Sequence, residues 1–331
     1  MTTFADGDAN ASDPARVHSS RRPVWLPAVA YVVSIGILYL FLRQTDWAAV
    51  WNSLRRVDPA WFAAALGGFL VNVLVQSYRW GLCMTVESRP SYARRVQLLF
   101  ASRVFNNLGL GALGGDVYRT VRIARAHGAA RSAFSVALPR FTNLISAAML
   151  PALCAVLAWD LFAQNPWFRL VFWMSLTSWP AALLLLMLPL YRGRIASVLE
   201  RHKWDRLAHG LKSAIFTSSN LLALVSSALL FQVVAVLVHL FVAYALGWPL
   251  GWREVLIVSP CTMLLTALPI TVNGVGVREA CYVIGFGFFG VIEAQALAFS
   301  AIMYVCQTLI TLAGGGVLLA ERFQRGASTA A

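Results

Sequence analysis

The chain has 331 residues, of which 59% are hydrophobic and only 12% are charged. Soluble domains carry about 25% charged residues, so this composition excludes a soluble enzyme, a secreted disulfide scaffold and a disordered chain. The net charge of +13 comes almost entirely from Arg. In a membrane protein such an excess belongs to cytoplasmic loops beside anionic lipids, so we expect no nucleic-acid partner.

Long charge-free runs decide the fold class. A helix needs about 20 apolar residues to cross a bilayer, and most of the runs without Asp, Glu, Lys or Arg reach that length. They are residues 24–42, 61–78, 141–159, 170–191, 213–252, 255–277 and 294–320. Segments of alternating polarity, typical of outer-membrane strands, are absent from the sequence. The sequence therefore predicts an all-α polytopic membrane protein.

In chain order, residues 1–23 are small and polar and predict a disordered cytoplasmic tail. Placing the basic clusters inside gives six full spans of alternating direction. They are residues 24–42, 61–84, 132–159, 166–190, 216–247 and 294–320. Residues 43–60 carry three Arg on the outer side, and we interpret them as an amphipathic interfacial helix. Both termini are then cytoplasmic, with a short tail at 323–331, and we expect a bacterial-type inner (plasma) membrane.

Two apolar stretches, 96–131 and 253–292, do not fit as simple spans, because both flanks of each must lie on one side of the bilayer. Each is broken near its middle by glycine, so we interpret each as a re-entrant hairpin of two half-helices. The transmembrane domain (24–322) then has two halves of opposite orientation, 24–159 and 166–322. Such an inverted repeat, with Gly-broken segments in corresponding positions, indicates a substrate site near the bilayer midplane.

The first hairpin contains Gly114, Gly115, Asp116, Tyr118 and Arg119. Glycine lets the backbone approach a ligand closely, and exposed amides beside an Arg fork can bind an anion. We therefore predict substrate-binding residues here, with the two glycines as a hinge. The alternative is a tight helix break with Asp116 as the N-cap and Arg119 as an ordinary inside-positive charge.

The second hairpin contains Asn273, Gly274, Gly276, Arg278 and Glu279. An adjacent Arg and Glu in apolar surroundings are costly unless they are paired or face water, which makes them candidates for substrate binding. The alternative is a buried pair that caps the half-helices and pins the hairpin.

Three further polar residues lie within the predicted spans. Arg140 is about two turns into its span, too deep to reach the headgroups easily, so an interior partner or an anionic ligand is favoured. Arg79 is a further candidate, although snorkelling to the headgroups is the favoured explanation. We expect His239 to hydrogen-bond between helices rather than to relay protons.

No motif for catalysis or metal binding is present in the sequence. It contains no HExxH, GxSxG or Walker A string and no paired carboxylates at Asp-x-x-Asp spacing. The five Cys lie in or beside apolar runs without a CxxC pair, which is typical of small hydrophobic residues. We therefore expect no enzyme activity, no metal and no cofactor.

Three strings carry a resemblance to a known family: NNLGLGALGGDVYRTVRIAR (106–125), LPRFTNLI (138–145) and LPITVNGVGVREA (268–280). They resemble the flippase-like membrane domain of the lysylphosphatidylglycerol synthases, and the resemblance covers roughly 24–322. The Gly-Gly-Asp-x-x-Arg element and the Gly-x-Gly-x-Arg-Glu element occur in the order that the family has.

The resemblance implies movement of a phospholipid, or of a polyprenyl-linked or hopanoid-type lipid, between leaflets. It also implies roles for Asp116, Arg119, Arg140, Arg278 and Glu279. The sequence ends shortly after the last span, so we do not expect the soluble aminoacyl-transferase domain of the full synthases in this chain.

Three functions remain open from the sequence. The first is a lipid flippase in which Arg119, Arg140 and Arg278 bind an anionic headgroup, so that the partners are membrane lipids. The second is an integral-membrane enzyme on a lipid carrier, similar to a glycosyltransferase, with Asp116 or Glu279 as base. The third is a scaffold partner of envelope or lipid-synthesis proteins.

Overall fold

The chain is all-helical in the part that the computed structural model describes, which confirms the predicted fold class. That part comprises residues 45–84, 89–107, 112–180, 218–248, 250–267 and 274–330, with isolated positions beyond them. Its helices are α1 (Trp47–Arg55), α2 (Pro59–Leu82), α3 (Tyr92–Asn107), α4 (Ala112–His127), α5 (Ala129–Leu157), α6 (Trp159–Gln164), α7 (Pro166–Leu176), α8 (Ser218–Ala245), α9 (Trp252–Ala267), α10 (Val277–Gly287) and α11 (Glu293–Ala330).

Four of these helices contain segments that are long and apolar enough to cross a membrane. The segments are Pro59–Leu82, Arg131–Leu157, Asn220–Ala245 and Glu293–Ala320. They coincide with four of the six predicted spans, and they make the chain a multi-pass membrane protein. The predicted tail at 1–23, the span at 24–42 and most of 177–190 lie outside the described residues. Helix α11 continues to Ala330, through the segment predicted as a tail.

Aspartate caps set the start of the first two helices. The Asp46 side chain accepts hydrogen bonds from the backbone of Ala48 and Ala49, and Asp58 does the same for α2, with Pro59 at its first position. Helix α1 lies within the segment predicted to form an interfacial helix. It packs Val50 against Ala294 and Ala298 of α11 and leaves Trp47 and Trp51 exposed.

Helices α2 and α8 form the most extensive helix pair and run antiparallel. The backbone N–H of Asp58 donates to Ala245 O at 2.8 Å, so the start of α2 meets the end of α8. Midway along the pair, Gly68 faces Val238, whose Cγ2 atom would lie 2.5 Å from a Cβ added at Gly68. The small residue therefore permits the two backbones to approach closely, as is common between membrane helices.

Two pairs of shorter helices lie between the long ones, and we call them the first helix pair (α3 and α4) and the second helix pair (α9 and α10). Helices α3, α4 and α9 each have 16 residues, which is about 24 Å of helix and less than the roughly 30 Å hydrocarbon core. In each pair the two helices pack against one another. The connections at 108–111 and 268–273 lie outside the described residues.

The last helix of each half packs against both helix pairs. Helix α5 contacts α4 and α9, and α11 contacts α10 and α3. At the α11–α3 contact, a Cβ added to Gly314 would overlap the carbonyl oxygen of Phe100, so only glycine fits there. The larger aromatic core lies at α10 and α11, where the ring centroids of Tyr282 and Phe286 are 4.8 and 5.3 Å from that of Phe299.

Candidate functional site

Asp116 joins two helices through two arginines. Its Oδ1 atom accepts a hydrogen bond from Arg119 on the same helix, and its Oδ2 atom accepts from Arg140 Nη1 on α5 at 2.6 Å. Asp116 is the fifth residue of α4 and therefore does not cap that helix. Arg140 thus has an interior partner, and its side chain is 43% exposed.

Arg119 is buried, with 6% of its surface exposed. Its guanidinium carbon lies 5.3 Å from the ring centroid of Trp80 on α2, a cation–π contact. Its Nε atom has no hydrogen-bond partner among the described residues. A buried donor without a partner is costly, so this atom is available to a ligand.

Arg103 on α3 is a third arginine near this point, and the sequence analysis missed it. It is close enough to Arg119 for the two charges to repel one another, and its Nε atom is likewise without a hydrogen-bond partner in the described part of the chain. Arg103, Asp116, Arg119 and Arg140 form what we call the first-half cluster. The signal that could have identified Arg103 is its position two turns before the glycine break, on an otherwise apolar stretch.

Arg79 holds α2 against α5. Its Nη2 atom donates to Pro139 O at 2.9 Å and to Thr142 Oγ1 at 2.8 Å, and its Nη1 atom donates to Asn143 Oδ1 at 3.2 Å. The side chain is only 2% exposed. The expectation that Arg79 snorkels to the headgroups is therefore wrong, because α5 provides enough acceptors to keep the guanidinium inside.

Two other residues of the predicted first hairpin hold the first helix pair together. The Gly115 N–H donates to Asn106 Oδ1 at 2.8 Å, and a Cβ at Gly115 would lie 2.5 Å from the Ser102 carbonyl oxygen. The ring of Tyr118 stacks on Phe105 with centroids 4.5 Å apart. Gly114 is buried inside the first turns of α4. The glycines thus permit close packing inside the helix pair, and Tyr118 packs within it.

In the second helix pair, Glu279 caps the start of α10. Its Oε2 atom accepts a hydrogen bond from the Gly276 N–H at 2.6 Å, and its Oε1 atom accepts from Ser300 Oγ on α11 at 2.6 Å. Gly274 and Gly276 have φ values of +74° and +85°, which L-residues with a side chain rarely adopt. Glu279 and the glycines therefore build the backbone break, as the capping alternative expected. Asn273 lies outside the described residues.

Arg278 points to α11. Its Nη1 atom donates to Gln307 Oε1 at 3.2 Å, and its guanidinium carbon lies 4.5 Å from the ring centroid of Tyr304. The residue is 9% exposed. We call Arg278, Glu279, Ser300, Tyr304 and Gln307 the second-half cluster.

His239 forms hydrogen bonds with both ring nitrogens. Its Nδ1 atom lies 2.7 Å from Ala235 O, which can only accept, so that nitrogen carries the proton. Its Nε2 atom lies 2.8 Å from the Tyr282 hydroxyl, which joins α8 to α10. This is the interhelical hydrogen bond that the sequence analysis expected.

Five pairs of residues in or near the two clusters recur at a nearly constant spacing in the sequence. Helices α3 and α9 have equal length and start 160 positions apart. Pairs of glycine or polar residues separated by 159 or 160 positions are Asn72 and Gln232, Arg79 and His239, Asn106 and Thr266, Gly115 and Gly274, and Arg119 and Arg278. Each glycine of this series packs against the polar residue that stands last but one in the preceding helix, Gly115 against Asn106 and Gly274 against Thr266. The sequence analysis did not detect this spacing.

Among the described residues, no group of three or more His, Cys, Asp or Glu side chains is placed to hold a metal ion. The clusters are built from guanidinium, amide, hydroxyl and aromatic groups, with one carboxylate in each. Such groups bind anions and hydrogen-bonding headgroups rather than metals.

Residues 28–315 match the family model described as the lysylphosphatidylglycerol synthase TM region. This confirms the resemblance that the three sequence strings carry. No curated protein and no solved structure matches the chain.

Proposed function

The chain belongs to the family of the lysylphosphatidylglycerol synthase transmembrane region, and from that premise we propose that it moves an anionic lipid between the leaflets of the inner membrane. The observation that carries this proposal is the first-half cluster. Two arginines, Arg119 and Arg140, share the carboxylate of Asp116 there, and the buried Arg119 has an Nε donor without a partner among the described residues. The planar guanidinium group of Arg forms paired hydrogen bonds with phosphate oxygens, so a phosphate headgroup suits an Arg in apolar surroundings.

The physical task is to lower the cost of taking a charged headgroup through hydrocarbon. A charge at the bilayer centre costs at least several kcal/mol, which slows unassisted crossing. Buried guanidinium groups replace part of the hydration that the phosphate loses. Arg119 and Arg140 in the first half and Arg278 in the second are the residues we propose for this role.

We further propose that the two halves form an inverted repeat with two re-entrant hairpins. The helix contacts support this arrangement because they occur in matching sets. Helix α2 packs on α3, and correspondingly α8 packs on α9. Helix α4 packs on α5, and α10 packs on α11. Finally, α3 packs on α11, the last helix of the other half, and α9 packs on α5 in the same way. The spacing of 159 or 160 positions between polar residues supports the same pairing of elements.

The proposal does not include an enzymatic step. Both carboxylates that could act as a base hold other groups in place. Asp116 accepts from two arginines, and Glu279 accepts from Gly276 and Ser300. We propose membrane lipids as the partners and cytoplasmic placement of both termini, in agreement with the basic loops.

The test is a leaflet-accessibility assay in proteoliposomes with a fluorescent phosphatidylglycerol. We expect the wild type to move the lipid, and Arg119→Ala and Arg278→Ala to move it more slowly. Arg94→Ala is the matched control, because Arg94 is a partly exposed arginine on α3 whose Nη1 atom donates to Gln97 Oε1. Equal rates for the wild type and both cluster variants would refute the proposed site, and absence of movement by the wild type would refute the proposed function.

A further inference from the structure

We infer that Trp80 is a further headgroup-binding residue, whose indole N–H and the Nε–H of Arg119 form a two-donor site for one phosphate group. This inference rests on the proposed function and adds an uncharged donor to the same site. The observation behind it is that two buried polar atoms without partners occur in one contact. Trp80 Nε1 and Arg119 Nε both lack a hydrogen-bond partner among the described residues, and the two side chains stack on one another.

Trp80 lies near the end of α2 and is fully buried. A buried indole N–H usually has an acceptor, because a buried donor without one has lost its hydrogen bonds to water and gained none. Trp80 belongs to a hydrophobic cluster with Leu98, Leu99 and Ile123, whose side chains offer no acceptor. Apolar packing alone therefore does not explain why a tryptophan, rather than a phenylalanine, stands at this position.

Arg119 brings the second donor to the same point from α4. Its guanidinium carbon lies 5.3 Å from the centroid of the Trp80 ring, and its Nη2 atom donates to Asp116, which leaves Nε as a donor for a ligand. Because Trp80 Nε1 and Arg119 Nε belong to side chains in contact, a group with several acceptor oxygens can receive a hydrogen bond from each.

The way into this site lies between helices whose backbones are not closely packed. Among the described helices, α2 and α4 are not one of the extensively packed pairs, so the contact of Trp80 with Arg119 is made by side chains. Arg140, which shares Asp116 with Arg119, has a side chain that is 43% exposed and marks the open side of the cluster. A headgroup can therefore enter from Arg140 by displacing side chains, without separating two tightly packed backbones.

The chemistry of the site favours an anionic acceptor. Both oxygens of Asp116 accept from arginine, so they are not available to a headgroup amine. Two arginines on one carboxylate leave one positive charge in excess among the described residues, which favours a negatively charged oxygen over a neutral one. The ring of Trp80 is buried beneath the Arg119 guanidinium and is not open to a quaternary ammonium group. A phosphate oxygen meets all three conditions.

The experiment measures the binding of short-chain phosphatidylglycerol to the full chain in phosphatidylcholine nanodiscs, by calorimetric titration. Trp80→Phe keeps an aromatic ring beneath Arg119 and removes only the N–H and part of the ring. Because a hydrogen bond to a charged acceptor is lost, we expect the variant to bind the lipid about tenfold more weakly than the wild type. Undiminished binding by Trp80→Phe would overturn the inference.

Trp248→Phe is the matched control. The Nε1 atom of Trp248 is also buried and without a partner in the described part of the chain, but its ring packs against those of Phe286 and Phe299 in the second half. The control thus makes the same change in size and removes the same kind of donor away from Arg119. We expect it to bind phosphatidylglycerol as the wild type does, and a loss equal to that of Trp80→Phe would contradict the assignment of Trp80.

Two further probes separate the phosphate group from the rest of the lipid and from a free ion. Short-chain diacylglycerol lacks the phosphate, so we expect Trp80→Phe and the wild type to bind it equally. A tenfold loss for diacylglycerol as well would give Trp80 a packing role instead. Inorganic phosphate lacks acyl chains, and we expect it to bind more weakly than phosphatidylglycerol, whereas equal binding would overturn the assignment to a lipid.

This inference and the proposed function fail in different ways. If the wild type moves phosphatidylglycerol between leaflets and Trp80→Phe binds that lipid normally, only the role of Trp80 is refuted. If binding depends on Trp80 and the wild type moves no lipid, the two-donor site stands and the proposed function is refuted.

Discussion

The two helix pairs use the same kinds of residue for different purposes. In the first pair the carboxylate of Asp116 is shared between arginines, and positive charge remains in excess around it. In the second pair the carboxylate of Glu279 accepts hydrogen bonds from the Gly276 N–H and from Ser300 Oγ. It lies at a backbone break where Gly274 and Gly276 have positive φ. The difference agrees with the proposed anion binding being centred on the first pair, while Glu279 in the second pair has a structural role at the backbone break.

The largest expected effect separates the two arginines in equivalent positions. We expect Arg119→Ala to slow lipid movement about a hundredfold, because charge-assisted hydrogen bonds contribute about 1.5–3 kcal/mol each. We expect Arg278→Ala to slow it only about tenfold, since Gln307 and Tyr304 already occupy part of its guanidinium group. The measurement is the rate in the proteoliposome assay. Equal losses for the two variants would abolish the distinction between the helix pairs.

Glu279 tests the structural role of the second pair. Replacing it with Ala removes two hydrogen bonds from buried donors, so we expect the free energy of unfolding to fall by about 3 kcal/mol. Glu279→Gln keeps an acceptor for the Gly276 N–H and is expected to recover about half of this loss. Thermal unfolding in detergent measures both variants. Wild-type stability in Glu279→Ala would show that the carboxylate does not hold the break.

Gly115 tests the packing inside the first pair. Its Cβ position lies 2.5 Å from a backbone carbonyl of α3, so we expect Gly115→Ala to destabilise the protein by about 1–3 kcal/mol through overpacking. Gly67→Ala is the control, because no atom lies within 4 Å of its Cβ position. That control is expected to be neutral or slightly stabilising, as alanine favours the helix. A harmless Gly115→Ala would mean that the two helices can separate freely.

The smallest expected effect concerns the hydrogen bond between α8 and the second pair. Tyr282→Phe removes the hydroxyl that lies 2.8 Å from His239 Nε2 while keeping the ring in its aromatic cluster. We expect a loss of about 1 kcal/mol in the free energy of unfolding and no change in lipid movement. Thermal unfolding and the proteoliposome assay measure the two quantities. A large loss of lipid movement would instead assign His239 and Tyr282 to the transport mechanism.

The fold class and the positions of the long helices could be predicted from the sequence, because hydrocarbon demands long charge-free segments. The limits of the four helical segments that are long and apolar enough to cross a membrane agree with the predicted spans to within a few residues. The short helices between them could also be located, since glycine interrupts both apolar stretches and charge flanks them. Whether those helices are re-entrant remains a prediction.

The candidate site was predictable only in part. Asp116 and Arg119 were selected for their place at the glycine break and Arg140 for its depth in a span, and the structure brings the three together. Arg79 was misjudged because a position near the end of a span permits both snorkelling and an inward direction, and only the neighbouring acceptors on α5 decide between them. Arg103 was missed because a single charge on a short apolar stretch does not reveal which helix faces it.

The close contact between Gly314 of α11 and Phe100 of α3 has a consequence for how the two halves move relative to one another. Helix α11 has no room for even a methyl group where it crosses α3, so the two backbones cannot slide past each other there without parting. The same helix carries Ser300 and Gln307, which hold the second helix pair. We therefore expect a displacement of α3 to move α11 with it, and to reach the second helix pair through Ser300 and Gln307.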